Sequence, residues 1–290
     1  MATALPLTVP PARRGALSEP IRYVLMAFAL SWAVWLGGWV LAGRPDDLRA
    51  PGMVPAVYLG SFGPSIAAAW LSWRAGTLKA WARGFVRWRA GWGYAAALLP
   101  LPLAVLALTW ALGYAPRAGA SGGMPPALFY LTLFPVSLFN ALATALMGAG
   151  PLGEEGGWRG YLLPRLLERF GEARGAALLG VIWAVWHLPV MMLFAGWRDG
   201  TSLGFYLPVY TAGLVGLSLL FARVWRLGRG SLLPCIWLHG LVNAIGGTAF
   251  QQQLWTSRWS TEASTAHALL AFWIAAGLVW LLTRRRQLGV

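Results

Sequence analysis

Two adjacent acids and two well-separated histidines stand out in a chain that is otherwise poor in ionisable groups. Glu154 and Glu155 lie in the run Gly-Glu-Glu-Gly-Gly-Trp-Arg-Gly (153–160), His187 closes Trp-Ala-Val-Trp-His (183–187), and His239 opens His-Gly-Leu-Val-Asn (239–243). Glu155 and Arg159 are four apart, so on a helix they share a face and can pair, leaving Glu154 turned to another side. Trp183 and His187 share a helix face in the same way, as do His239 and Asn243. A carboxylate with two imidazoles in a protected cavity suits activation of water, with the Glu as general base. His and Asn donors suit an oxyanion developing on a peptide carbonyl. The same Glu154, His187 and His239 could instead ligate a divalent metal such as zinc, whose bound water becomes the nucleophile. Both chemistries are open at this point. The bland counterparts are an acidic helix start favoured by the dipole and histidines that only pack against carbonyls.

The elements that must carry these residues are membrane spans. Of the 290 residues 58% are hydrophobic and 11% charged, with a mean hydropathy of +0.59, whereas soluble domains carry about a quarter charged residues. Spans need about 20 mostly apolar residues, and eight segments qualify: 21–42, 52–73, 92–114, 126–149, 175–197, 203–222, 231–250 and 265–283. The expected fold is an all-α polytopic bundle, since closed helices satisfy their own backbone in lipid. Within it, residues 1–20, rich in proline, read as a flexible tail and 21–290 as one membrane-embedded domain. The first span is long and lacks a small-x-small cleavage site, so it reads as an anchor rather than a signal peptide.

Charge fixes an expected orientation. With the N-terminus inside, 18 of the 23 basic residues fall in inside segments, and only Arg44, Arg49, Arg117, Arg198 and Arg258 fall outside. That alternation is the positive-inside pattern for eight spans with both termini cytoplasmic in a cell membrane. The net charge of +14 therefore belongs to clusters such as Arg74–Arg89 and Arg284–Arg286 at span ends, where basic side chains meet lipid headgroups. Nucleic acid is not an expected partner. A lone cysteine, Cys235, leaves no intrachain disulfide and no multi-cysteine zinc cluster.

An ionisable group at mid-bilayer costs roughly 2.5–3.5 kcal/mol on insertion scales, which makes those that occur functional candidates. At 1.5 Å per residue His239 lies about 12 Å along its helix from Ser231, and His187 about 18 Å from Gly175. The two imidazoles can meet in the inner half of the membrane, with Glu154 approaching from the same side. The stretch 158–170 adds an amphipathic interfacial helix, with Leu162, Leu163, Leu166, Leu167 and Phe170 on one face. It reads as sealing the bundle, and Pro164 marks a bend or a helix start.

Other mechanisms fit less well. The Gly-Ala-Ser-Gly run (119–122) has the form of a rhomboid-type serine motif, with His267 as a base, but Ser121 falls in an exterior Gly- and Pro-rich loop. No His-Glu-x-x-His helix is present. A non-catalytic transporter or partner-binding scaffold also uses intramembrane Glu and His, though no repeated halves are visible.

Together, Glu-Glu-x3-Arg, aromatic-x3-His and His-x3-Asn on successive helices resemble the CAAX-protease and bacteriocin-processing family of intramembrane proteases, which includes type II CAAX prenyl endopeptidases and abortive-infection proteins. The surrounding Trp-Arg-Gly-Tyr-Leu-Leu-Pro-Arg-Leu (158–166), Trp-His-Leu-Pro (186–189) and Gly-Ser-Leu-Leu-Pro (230–234) look alike too. The resemblance covers about 128–247. It implies an endopeptidase acting on a membrane-associated protein or peptide, with Glu154 as base, His187 its partner, and His239 and Asn243 on the oxyanion. Glu155 and Arg159 would support the first motif. Trp183 departs from the family's more usual Phe while keeping an aromatic ring. CAAX-type processing, bacteriocin maturation and self-immunity are equally consistent with the resemblance.

Overall fold

A computed structural model describes residues 18–46, 50–116, 149–193, 200–246, 255, 256 and 258–283, with scattered positions between 125 and 145. The described chain is helical apart from one two-residue antiparallel pairing, Ala115–Pro116 with Trp255–Thr256. Six of its helical stretches are long and apolar enough to cross a membrane: Glu19–Leu41, Met53–Arg74, Trp92–Ala111, Glu172–Leu193, Leu207–Leu227 and Glu262–Thr283. Leucine, valine and tryptophan side chains stand exposed along them, including Leu25, Leu103, Trp110 and Leu282. Water would not tolerate that exterior; lipid does. The protein is an integral membrane protein.

The expected count of eight spans is not reproduced as such. The segment 126–149 lies mostly outside the described residues, as do residues 1–17, 119–122 and 284–290. The expected span 231–250 appears as a shorter apolar helix, Leu233–Ala244. Ser18–Pro20, expected in the tail, belong to α1 (Ser18–Leu41), with Pro20 in the first turn where a missing N–H costs little.

Two spans are interrupted where proline forbids a continuous ladder. α2 (Met53–Gly60) gives way to α3 (Gly63–Arg74) just before Pro64, and α5 (Trp92–Leu98) to α6 (Pro100–Ala111) at Pro100. Between them α4 (Leu78–Val86) crosses one end of the bundle. After the scattered positions come α7 (Ala149–Gly157), a π turn (Trp158–Leu162) and α8 (Leu163–Phe170). The expected single amphipathic helix is therefore a π turn running into an α-helix, with Pro164 in its first turn. Leu162, Leu163, Leu166 and Leu167 are buried as expected, whereas Phe170 is exposed.

α9 (Glu172–Trp186) and α10 (Leu188–Leu193) form one span broken at His187; α11 (Gly200–Leu227), α12 (Leu233–Gly246) and α13 (Thr261–Thr283) complete the described bundle. α11 packs on α9 and α13, α1 on α2 and α3, and α7 on α3 and α12. α7 thus sits inside the bundle rather than on its rim.

Candidate functional site

Glycine explains how a short helix carrying two acids enters so deeply. A Cβ at Gly153 would lie 2.5 Å from the Ser61 carbonyl oxygen, and one at Gly157 would lie 2.3 Å from the Tyr23 hydroxyl. Only hydrogen fits at these points, where α7 lies against α1 and the turn into α3, with Pro64 of α3 also 2.5 Å from a Cβ at Gly157. The close approach turns the intervening Glu154 and Glu155 away from α3 and into the bundle, where both are buried.

Glu155 does what its spacing predicts and more. Arg159 Nη1 donates to its Oε1 at 2.8 Å, with both side chains fully buried. His239 Nδ1 reaches the same oxygen at 2.7 Å. The Arg159 guanidinium is sandwiched by aromatic rings, 4.2 Å from the Trp183 centroid and 3.6 Å from that of Phe221. A buried ion pair is a weak source of stability, but losing one partner strands the other. Here the pair sets the position of an imidazole.

Glu154 is left for a different task, as the spacing suggests. The indole N–H groups of Trp183 and Trp158 donate to its Oε2 at 2.7 and 3.3 Å. Its Oε1 faces His239 Nε2 at 3.9 Å. A methyl built on Gly150, one turn earlier in α7, would lie 3.2 Å from His239 Nε2, 3.3 Å from Asn243 Nδ2 and 3.3 Å from Glu154 Oε1. Three polar atoms from two helices therefore converge above Gly150. Asn243 is the exposed member of the group, while Glu154 and His239 are buried.

His187 joins from the side. It caps α9, where Pro189 two residues on cannot continue the ladder, and the Trp32 indole donates to the Trp186 carbonyl beside it. His187 Nδ1 lies 2.8 Å from the Trp183 carbonyl. A carbonyl only accepts, so Nδ1 carries the proton and neutral His187 presents Nε2 as an acceptor. Trp183 rests against both histidines, with ring centroids 5.9 Å from His187 and 5.6 Å from His239. The imidazoles thus share one aromatic partner.

Three neighbours were invisible in the sequence pattern. Trp158 holds Glu154, Phe221 covers Arg159, and the Tyr210 ring stands 5.6 Å from that of His187. The signal that could have found Trp158 is its place four residues after Glu154, on the same helix face. His267 is not part of the group; its Nδ1 pairs with the Tyr114 hydroxyl at 2.9 Å. Ser121 lies outside the described residues.

The metal alternative fares less well on donor placement. Among the described residues no three His, Cys, Asp or Glu side chains are grouped to hold one ion. His187 commits Nδ1 to its own helix and His239 commits Nδ1 to Glu155. Each ring keeps Nε2 for a further partner, as a metal-bound histidine also does, so these Nδ1 bonds serve metal and metal-free chemistry alike.

Residues 128–245 match the model of a family described as type II CAAX prenyl endopeptidase Rce1-like. The matched stretch contains Glu154, His187, His239 and Asn243. No curated protein matches the chain.

Proposed function

We propose, from the match of residues 128–245 to type II CAAX prenyl endopeptidases, that the chain works as a protease of that family and hydrolyses a peptide bond in a membrane-associated protein or peptide, with Glu154, His187, His239 and Asn243 as the working groups. The observation that carries the reading is the convergence of Glu154 Oε1, His239 Nε2 and Asn243 Nδ2 above Gly150. A base and two donors aimed at one point are the constellation that acyl transfer to water needs.

In this mechanism Glu154 holds Oε2 on the two indoles and takes a proton from water at Oε1. Nε2 of His187, an acceptor in the neutral ring, orients that water. The water oxygen attacks the carbonyl carbon, and the oxyanion so formed accepts from Asn243 Nδ2 and from His239 Nε2. In that role His239 carries protons on both nitrogens, one held by Glu155 and one offered to the substrate. Collapse expels the amine, which takes the proton from Glu154. Preorganised oxyanion donors of this kind each contribute about 2.7–4 kcal/mol to the barrier.

The protease-like core at about 128–247 and the rest of 21–290 act as one membrane domain in this reading, with both termini on the cytoplasmic face of the cell membrane. The substrate class is read from the site's place within the bundle, not from any prenyl-specific contact.

The decisive experiment is purification in detergent and incubation with a library of membrane peptides. Wild type should cleave a subset, with or without a chelator, while Glu154→Gln and His239→Ala should not. Equal cleavage by all three would remove the mechanism, and a Glu154→Gln protein that keeps a cellular phenotype would point to a scaffold instead. Loss of cleavage on chelation would restore the metal.

A further inference from the structure

The end of the bundle between the spans Met53–Arg74 and Trp92–Ala111 carries chemistry that hydrolysis does not use. Here α4 and its flanks expose Arg74, Lys79, Arg83, Arg87 and Arg89. No Asp or Glu occurs from residue 48 to residue 153. Ion pairs among the described residues engage Arg159, Arg165, Arg223, Arg226 and His239, and none of these five. Val86, Trp88 and Trp92 are exposed among the cations at 71%, 66% and 60%, and the Arg89 guanidinium lies 4.8 Å from the Trp88 ring centroid. Cations interleaved with tryptophan at the ends of two spans match the headgroup layer of a bilayer in both charge and depth.

The other face of α4 holds the site. Trp81 Nε1 donates to the Gly156 carbonyl at 2.8 Å, two residues beyond Glu154. A switch from α to π pairing leaves a helix carbonyl over at the junction, and Gly156 sits just before the π turn at Trp158. Phe85 and Trp81 pack so closely on Gly156 that a Cβ there would lie 2.5 Å from Phe85. The Leu232 N–H, at the start of the helix bearing His239, donates to the Gly84 carbonyl at 2.9 Å. One short helix thus presents exposed cations and indoles on one side and touches both carriers of the candidate machinery on the other.

We propose that α4 and its flanks form a docking surface for anionic phospholipid headgroups, and that docking there steadies the helices bearing Glu154 and His239 through Trp81 and Gly84. The occupant is a lipid rather than a free anion because the exposed indoles and Val86 require an apolar layer beside the phosphates. The docking itself stands apart from the hydrolase reading; only its effect on cleavage rests on that reading.

The test uses the full chain in nanodiscs of phosphatidylcholine alone or mixed with phosphatidylglycerol. Amide hydrogen exchange of residues 78–92 and 156–163 should slow severalfold when phosphatidylglycerol is present, and the effect should fade as salt screens the charges. Lys79→Gln/Arg83→Gln/Arg89→Gln should exchange alike in both lipids. Trp81→Phe should keep the protection of 78–92 and lose that of 156–163. Cleavage of a membrane peptide should rise severalfold with phosphatidylglycerol in the wild type only. Equal exchange in both lipids overturns the docking surface, and protection by inorganic phosphate in phosphatidylcholine discs overturns its assignment to lipid. Lipid-dependent protection without any cleavage would leave the docking intact and count against the hydrolase alone.

Discussion

His239 and Arg159 meet on a single oxygen of Glu155, at 2.7 and 2.8 Å respectively. The two carboxylates of one dipeptide therefore have different surroundings: Glu155 fixes an imidazole, and Glu154 Oε1 converges with His239 Nε2 and Asn243 Nδ2 above Gly150. Breaking a buried pair by removing one charge costs about 3–5 kcal/mol. Glu155→Gln should lower the thermal midpoint in detergent and reduce cleavage with it. Glu154→Gln should abolish cleavage at an unchanged midpoint. The opposite pairing of results would exchange the roles assigned to the two acids.

Trp183 offers Glu154 an N–H and offers Arg159 and both histidines a ring. Trp183→Phe separates the two services. A hydrogen bond to a charged group contributes roughly 1.5–3 kcal/mol, and Trp158 retains the second bond. Cleavage should fall about tenfold, a change worth roughly 1.4 kcal/mol, with the fold intact. Trp183→Ala should lose both activity and stability, read by the same cleavage assay and melting curve.

Gly150 and Gly153 are one turn apart and predict different failures. Gly150→Ala places a methyl where the three functional atoms converge, at 3.2 Å or more from each, so cleavage should drop sharply while the melting point barely moves. Gly153→Ala drives a methyl to 2.5 Å from a backbone oxygen, and overpacking of this kind costs about 1–3 kcal/mol. It should melt early. Gly37→Ala, with open space around it, is the control for both.

Asn243 is exposed within the group, so little of the fold depends on it. Asn243→Ala should reduce kcat by about 10²–10³-fold, the usual effect of removing one oxyanion donor. KM and the melting point should stay close to wild type. A raised KM at constant kcat would instead make Asn243 a binding residue.

Much of this was readable from the chain because lipid makes polar residues conspicuous. Glu154, Glu155, His187 and His239 stand out against apolar text, and four-residue spacing correctly foretold the Glu155–Arg159 pair. The aromatic partners were not readable for the converse reason. Nineteen tryptophans supply many candidates for span ends; Trp158 has only its four-residue spacing from Glu154 to mark it, and nothing in the pattern distinguishes Trp81 from those that only meet lipid. Breaks at Pro64 and Pro100 were blurred because hydropathy reports burial from water, not backbone continuity. α4 hid within a cluster of cations that reads equally well as a loop.

The π turn at Trp158–Leu162 has a bearing on what evolution can edit here. Such a turn is the mark of a surplus residue accommodated inside a helix. Deleting one position there would let the backbone relax to ordinary pairing and swivel the preceding segment by about 100°. Both carboxylates would then leave the partners they hold, Trp183 and His239. The number of residues along 158–162 therefore matters as much to the placing of the two acids as the Trp158 and Arg159 side chains that hold them.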